Sequence, residues 1–261
     1  MNGILVVYFS GVGNTKMVAE MVHQAISAHG KARCVSVEQF SESFNINEYD
    51  AVVLGFPTFH ASAARPVLDF LKTLCEAKRE LALFLFTTCA LYSANALRKT
   101  AKLCRDKNLI CIHHRSYHCA ATDGVLIAPR MECWYRHEKN LADKVREDTE
   151  WFLQRCKLPV RISLPRYRLS GLINLPQQWL GERFALSVYT HRERCVKCGL
   201  CLSRCPSGAF EQDNEGYPSC DRERCIHCLR FAHYCPQLAL SVFRKKMTEK
   251  TLMTAGIKLN E

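Results

Sequence analysis

The sequence predicts an α/β protein in two parts, a doubly wound five-stranded parallel sheet over residues 1–156 and a small α+β module over residues 188–243. Short apolar runs alternate with helical patterns throughout the first part, which is typical of a parallel sheet covered on both faces. Half of the 16 cysteines crowd into the second part. A stretch rich in Pro, Arg and Leu, residues 157–187, separates the two and is predicted to be a linker, and residues 244–261 form a C-terminal tail.

Five β-rich apolar runs carry the sheet prediction, at 4–9, 33–37, 51–55, 81–87 and 110–117. The first helix is predicted from apolar residues at three- and four-residue spacing between Val18 and Ile26, with Gly30 as its stop. Further helices are expected near 66–77, 95–107 and 134–156. Strand, helix and strand therefore alternate as a doubly wound sheet requires.

Composition narrows the class of protein. The chain is 48% apolar and 23% charged, and it has no apolar run near the roughly 20 residues that span a bilayer. Its first residues lack the basic segment of a signal peptide, so a cytoplasmic location is expected. The net charge of +11 is compatible with nucleic acid, an anionic membrane surface or acidic proteins. No nucleic-acid-binding motif accompanies it, so we expect protein partners, and peripheral membrane contact stays open.

The cysteine spacing indicates a metal site, because cytoplasmic thiols are reduced and dense cysteine there usually binds metal. The run from Cys195 through Cys198, Cys201 and Cys205 to Pro206 matches the C-x2-C-x2-C-x3-C-P pattern of bacterial iron–sulfur sites. Zinc also binds C-x2-C pairs. Four cysteines in this run followed by proline favour iron and sulfide.

A second, imperfect copy of this run follows. It keeps Cys225, Cys228 and Cys235 before a proline and has Phe231 where the third cysteine would stand. Cys220 lies five residues before Cys225, just after a turn. We predict that Cys220 supplies the missing thiolate. The alternative is that Cys220 is an ordinary small side chain, which would leave a three-iron cluster or none.

The loop from Ser10 to Thr15 joins the first strand to the first helix, where backbone N–H groups and the helix dipole suit a phosphate. It lacks the glycine-lysine pair of a Walker loop, and Lys16 replaces the third glycine of the dinucleotide pattern. A plain tight turn remains the alternative.

This loop, with Tyr8 and Phe9 before it, resembles the FMN phosphate loop of flavodoxins, although Val12 stands where that loop usually has a hydroxyl residue. The resemblance implies that two further loops, 55–60 and 87–91, hold the flavin ring, with 118–124 near the ring edge. The predicted FMN-binding residues are Ser10, Gly11, Val12, Gly13, Asn14, Thr15, Pro57, Thr58, Phe59, His60, Thr87, Thr88, Cys89, Ala90 and Asn95.

Both parts together resemble the flavodoxin–ferredoxin fusion proteins of anaerobic bacteria and archaea. The resemblance implies a flavodoxin-like sheet, a bacterial ferredoxin-like domain, FMN and two [4Fe–4S] clusters. By the crossed ligation of two-cluster ferredoxins it assigns the first cluster to Cys195, Cys198, Cys201 and Cys235. It assigns the second cluster to Cys205, Cys225 and Cys228, one ligand short.

We therefore expect an electron-transfer protein that relays electrons between the two clusters and FMN, without catalytic acid–base residues and with redox proteins, such as acidic ferredoxin-like carriers, as partners. Whether it is also an enzyme stays open. The alternative function is a flavin-dependent reductase of a small substrate, fed by the clusters. A third class is a redox or oxygen sensor acting through a labile cluster.

Overall fold

The N-terminal domain is built around a parallel sheet with flanking helices. The computed structural model describes residues 3–40, 45–128, 130–131, 136–158, 162–165, 187–244, 248–249 and 251–252. The parallel strands lie in the order β2-β1-β3-β5-β6, and a short strand β4 pairs antiparallel with the end of β3. Their bounds are β1 Ile4–Tyr8, β2 Ala32–Ser36, β3 Ala51–Phe59, β4 Ser62–Ala63, β5 Leu81–Cys89 and β6 Leu109–His118.

Five helices accompany this sheet in the described ranges, and the longer ones pack on it. They are α1 Asn14–Ser27, α2 Arg65–Thr73, α3 Ala96–Arg105, α4 Thr122–Ile127 and α5 Leu141–Arg155, with 3₁₀ turns at Val37–Gln39 and Ile46–Glu48. The core is split by the sheet into two apolar clusters, one that includes α2 and α3 and one that includes α1 and α5. This is the doubly wound arrangement, in which ligands bind at the carboxyl ends of the strands.

Central strands β3 and β5 are buried from end to end apart from the last residues of β3. Gly55 in β3 faces the ring of Phe86 so closely that a Cβ there would lie 2.1 Å from Phe86 Cζ. Glycine at this position therefore lets a large aromatic side chain lie flat over the neighbouring strand.

The predicted strands are confirmed, each within a few residues of its expected bounds. Two predicted segments differ. The last helix begins at Leu141 and not near 134, and residues 132–135 lie outside the described residues. The stretch after β6, expected as a loop, contains the short helix α4.

The C-terminal domain contains two copies of one half-motif, the first copy at 195–206 and the second copy at 225–236. Each has a four-residue helix, α6 Leu200–Ser203 and α7 Arg230–His233. Around them, strands β7 Tyr189–Thr190 and β10 Leu240–Ser241 pair antiparallel, as do β8 Phe210–Gln212 and β9 Pro218–Cys220. The copies share backbone geometry 30 residues apart, since Lys197 and His227 both have φ of 55°.

The linker and the tail both make contacts where they are described. Ser163 donates its amide to Cys111 O at 2.8 Å, and Arg98 donates to Pro165 O at 2.8 Å, so residues 162–165 pack on the flavodoxin-like sheet. In the tail, Thr251 and Leu252 are fully buried. The remaining linker and tail residues lie outside the described residues. None of the described helices has the length and apolar character that crossing a membrane requires.

Candidate functional site

A cavity of about 320 Å³ opens at the carboxyl ends of β1, β3, β5 and β6. This volume falls within the range of small-molecule sites, and the position is the one at which doubly wound sheets bind ligands. Its walls include the Ser10–Thr15 loop, the residues after β3 and β5, and residues 119–123 after β6. The predicted loops therefore meet around one space.

The hydroxyl groups of the predicted phosphate loop keep donors for a ligand. Ser10 Oγ accepts the amide of Gly13 at 3.0 Å, which leaves its own hydrogen available. Thr15 Oγ1 lies 2.7 Å from Thr88 Oγ1, so one of these two hydroxyls donates its hydrogen to the other. The hydroxyl that accepts keeps its own hydrogen available for a ligand. Helix α1 begins at Asn14 with no acidic residue in its first turn. These features fit the phosphate of FMN.

Asn14 fits a different part of the ligand. Its Nδ2 donates to Ala120 O at 2.8 Å, which fixes the orientation of the amide. Its Oδ1 is buried and has no hydrogen-bond partner among the described residues. This oxygen is an acceptor, so it suits a hydroxyl group such as those of the FMN ribityl chain and not the phosphate.

Three residues of the second copy also line the cavity, namely His227, Cys228 and Leu229. The contact with the phosphate loop is close, because a Cβ added to Gly11 would lie 3.0 Å from Cys228 O. The cavity is thus walled by both domains. No motif in the sequence pointed to this, since the contacting residues lie more than 200 positions apart.

Three predicted FMN-binding residues, Gly13, Thr87 and Asn95, do not line the cavity. The amide of Gly13 turns back to Ser10. Thr87 is fully buried and donates to Phe56 O at 2.8 Å, so its hydroxyl joins β5 to β3. Asn95 is buried at the start of α3.

The cavity has lining residues that the prediction omitted, and a strained rim. The residues of this domain that lie outside every predicted loop are Ala61 and Tyr92, whereas Leu91 and residues 119–123 belong to the loops 87–91 and 118–124 that were expected at the flavin ring. At the end of β3, His60 and Ala61 have φ of 47° and 59°, in the left-handed region that favours glycine. Strain of this kind concentrates at ligand sites. The His60 ring lies 6.4 Å from the His227 ring of the second copy.

The cysteines fall into two groups. Cys195, Cys198, Cys201 and Cys235 together line one small cavity. The pKa of the Cys201 thiol is raised to about 11, mainly by burial, with the neighbouring thiols of Cys235 and Cys195 contributing. Cys198 is exposed. This is the set that the resemblance assigned to the first cluster.

The second group contains Cys205, Cys220, Cys225 and Cys228. Burial raises the pKa of the Cys228 thiol to about 12, with Cys225 and Cys205 contributing through their charges. The thiols of Cys220 and Cys225 are close enough to interact, and this interaction lowers the pKa of Cys225 to about 7 and raises that of Cys220. The residue predicted to replace the missing ligand therefore lies among the other three.

Backbone amides donate to the sulfurs in matching places in the two copies. Ala209 N lies 3.2 Å from Cys205 Sγ, and Ala239 N lies 3.3 Å from Cys235 Sγ. Such donors favour thiolates and tune iron–sulfur clusters. The thiol sets therefore fit [4Fe–4S] clusters. In the described ranges, no three His, Cys, Asp or Glu side chains converge on the position of a single metal ion.

Two family models match the chain, a flavodoxin domain at residues 5–116 and a 4Fe-4S binding domain at residues 188–211. Curated relatives match the C-terminal domain. An uncharacterized ferredoxin of Methanocaldococcus jannaschii is 33% identical over 61 residues, which cover 22% of this chain and 79% of that protein. Pyruvate synthase subunit PorD of the same organism is 37% identical over 54 residues, 21% of this chain and 63% of that protein.

The isethionate sulfite-lyase activating enzyme of Desulfovibrio desulfuricans is 40% identical over 57 residues, 20% of this chain and only 18% of that protein. Among solved structures, oxidised flavodoxin 1 of Bacillus cereus superposes with a TM-score of 0.45 at 13% identity, covering 59% of this chain and 98% of that one. The flavodoxin model spans the five parallel strands of the sheet, and the 4Fe-4S model spans the first copy of the cysteine half-motif. The chain belongs to the flavodoxin–ferredoxin fusion proteins, with a flavodoxin domain at its N-terminus and a 4Fe–4S ferredoxin domain at its C-terminus.

Proposed function

We propose that this electron-transfer protein relays electrons between FMN, bound in the 320 Å³ cavity, and two [4Fe–4S] clusters. The proposed ligands are Cys195, Cys198, Cys201 and Cys235 for the first cluster and Cys205, Cys220, Cys225 and Cys228 for the second. One observation carries the proposal. Cys228 belongs to the second thiol group and also lines the flavin cavity.

The contact between the cavity and the second thiol group is direct. Gly11 of the phosphate loop packs against Cys228, and both residues are buried. Since electron tunnelling weakens steeply with distance, a shared wall between two redox groups supports exchange within one chain. The residue that forms this wall is a proposed cluster ligand, so no further side chain has to stand between the two sites.

The two thiol groups are also neighbours. Cys201 and Cys235 of the first group line a second small cavity together with Cys205, Cys225 and Cys228 of the second. This supports a series in which the first cluster, the second cluster and the flavin follow one another. Iron–sulfur clusters exchange single electrons and flavins exchange one or two, so such a series can join one-electron and two-electron partners.

The outer end of the series lies at the surface of the first copy. Cys198 is exposed, and Val196 beside it is 63% exposed. An accessible thiolate with an apolar neighbour supports contact with a redox protein at this point. The net charge of +11 favours acidic partners, such as ferredoxin-like carriers.

The test is stopped-flow reduction of anaerobically purified, fully loaded protein. Flavin and iron analysis first establishes one FMN and two clusters per chain. Mixing with substoichiometric dithionite should then bleach the clusters first, and the flavin absorbance should follow with a rate independent of protein concentration. A flavin phase whose rate scales with protein concentration would contradict exchange within the chain, and protein that binds no FMN would contradict the proposal as a whole.

A further inference from the structure

The ferredoxin domain donates hydrogen bonds to the phosphate loop from outside the cavity. Three successive carbonyl groups of the loop each accept a hydrogen bond from the second copy. Arg230 Nη2 donates to Ser10 O at 2.7 Å, and Arg230 Nε donates to Gly11 O at 2.9 Å. The hydroxyl of Tyr234 donates to Val12 O at 3.1 Å. The domain that carries the clusters therefore fixes three consecutive peptide groups of the flavin site.

Fixing the carbonyls also fixes the amides. In a trans peptide the C=O and the N–H of the next residue point in opposite directions. The amides of Gly11 and Val12 therefore face away from Arg230, and among the described residues neither has a recorded hydrogen-bond partner. Successive free N–H groups pointing into a concavity form an anion site. Arg230 and Tyr234 thus shape a phosphate site that neither side chain lines.

The role of Arg230 is geometric more than electrostatic. Its guanidinium makes a two-pronged ion pair with Glu38, with both N–O distances at 2.9 Å, which offsets its positive charge. Arg230 Nη1 also donates to Arg204 O at 2.9 Å, in the first copy. The planar fork of arginine can meet these partners at once, whereas the single ammonium of lysine cannot.

Val12 explains why this loop departs from the usual flavodoxin pattern. Val12 is 3% exposed and packs in one apolar cluster with Leu229 and Phe231 of the ferredoxin domain. The position that usually carries a hydroxyl residue here faces another domain, so an apolar side chain is favoured.

We propose that Arg230 and Tyr234 are positioning residues for FMN, through which the assembled ferredoxin domain holds the phosphate loop in its binding shape. The inference rests on the proposed FMN and cluster sites. Both residues lie in the segment between Cys228, a proposed ligand of the second cluster, and Cys235, a proposed ligand of the first. Assembly of the clusters therefore fixes the positions of Arg230 and Tyr234. FMN binding and cluster retention are therefore thermodynamically coupled, and each favours the other.

The test compares FMN with riboflavin, which lacks the phosphate, on cluster-loaded protein. For Arg230→Lys we expect the FMN dissociation constant to rise at least about tenfold, or about 1.4 kcal/mol, with riboflavin affinity unchanged. Tyr234→Phe removes one neutral hydrogen bond, so a loss of roughly threefold is expected. Flavin fluorescence quenching gives both constants. The matched control is Arg192→Lys, since Arg192 pairs with Asp213 and Glu215 within the ferredoxin domain and does not contact the loop.

A second measurement tests the coupling through the stability of the clusters, as the rate at which a chelator removes iron. Saturating FMN should slow the removal of iron by bathophenanthroline disulfonate in the wild type and have less effect in Arg230→Lys. Equal losses of FMN and riboflavin affinity would indicate general disruption and overturn the inference, as would wild-type FMN affinity in Arg230→Lys. In either case the wild type still binds FMN and clusters, which separates this failure from failure of the proposed function.

Discussion

The first and second copies of the cysteine half-motif share a backbone and differ in surroundings. At corresponding positions Gly199 and Leu229 have φ of 74° and 61°, both left-handed. Nothing lies within 4 Å of a Cβ placed on Gly199, whereas Leu229 is 4% exposed and packs with Val12. The first copy faces outward and keeps all four cysteines. The second faces the flavodoxin domain, where Leu229 and Phe231 stand in place of glycine and cysteine and are both buried against that domain.

The largest expected effect concerns the cysteine ligands, because the second copy has Phe231 where the first copy has Cys201. Cys220→Ala should lower iron from about eight to about four or seven atoms per chain, because the second cluster then has three thiolates, from Cys205, Cys225 and Cys228, for four irons. Adding Phe231→Cys to this variant should restore the iron, since cysteine would then stand at the position that Cys201 has in the first copy. Iron and sulfide analysis with electron paramagnetic resonance measures both.

Cys75→Ala is the control, because Cys75 is an exposed cysteine of the flavodoxin domain. Two intact [4Fe–4S] signals in Cys220→Ala would show that another group supplies the ligand and that the second copy compensates for Phe231 in another way.

The next effect concerns the leucine. Leu229→Gly relieves roughly 1 kcal/mol of left-handed strain but gives up buried contacts that are worth about 2–5 kcal/mol, so the domain contact should weaken by about 3 kcal/mol. Anaerobic thermal denaturation should show a lower midpoint, by roughly 6–12 °C. The counterpart Gly199→Ala adds only the strain and should cost about 1 kcal/mol. A midpoint that rises in Leu229→Gly would mean that strain outweighs burial in the second copy.

A smaller effect is expected where the second copy meets the phosphate loop. Gly11→Ala places a Cβ 3.0 Å from Cys228 O, so the loop and the second copy must separate by a few tenths of an ångström. We expect a loss of about 1–2 kcal/mol in stability together with weaker FMN binding. Gly30→Ala is the control, since nothing lies within 4 Å of its Cβ. Thermal denaturation and flavin titration measure the pair, and equal behaviour of the two variants would argue against a tight contact.

The smallest effect is kinetic. The first thiol group includes exposed Cys198, whereas Cys225 and Cys228 of the second group are buried. A chelator should therefore remove the first cluster several-fold faster than the second, because exposure governs access to iron–sulfur sites. Resonance spectra recorded during chelation distinguish the two signals. Loss of the second cluster first would reverse the assignment of the inner and outer sites.

Much of the fold could be predicted because the relevant signals are local. The apolar run of β1 followed by Ser10–Thr15 predicts a strand, a loop and a helix. The two-residue gaps from Cys195 to Cys201 predict a ferredoxin half-motif. The hydrogen bonds that Arg230 and Tyr234 donate to the phosphate loop could not be predicted. A contact between residues so distant in the chain leaves no periodicity, and its partners are backbone carbonyls, which every residue has.

Cys220 is an intermediate case. Its proximity to Cys225 in the sequence suggested a role, but a separation of five residues does not determine where a side chain points. The β8–β9 pairing places Cys220 opposite Phe210, and its thiol then meets that of Cys225. The β8–β9 hairpin, together with the spacing, therefore decides where the Cys220 thiol lies.

The hydrogen bond from Arg230 to Ser10 joins residues 220 positions apart. During synthesis the flavodoxin domain leaves the ribosome first, and domains generally fold as units in that order. The strands of its sheet can pair before the ferredoxin domain has been translated, but the carbonyl groups of Ser10, Gly11 and Val12 must wait for Arg230 and Tyr234. The phosphate loop is thus translated before most of its own domain and is among the last parts to reach its final shape, and the nascent flavodoxin domain should bind FMN more weakly until the ferredoxin domain has emerged.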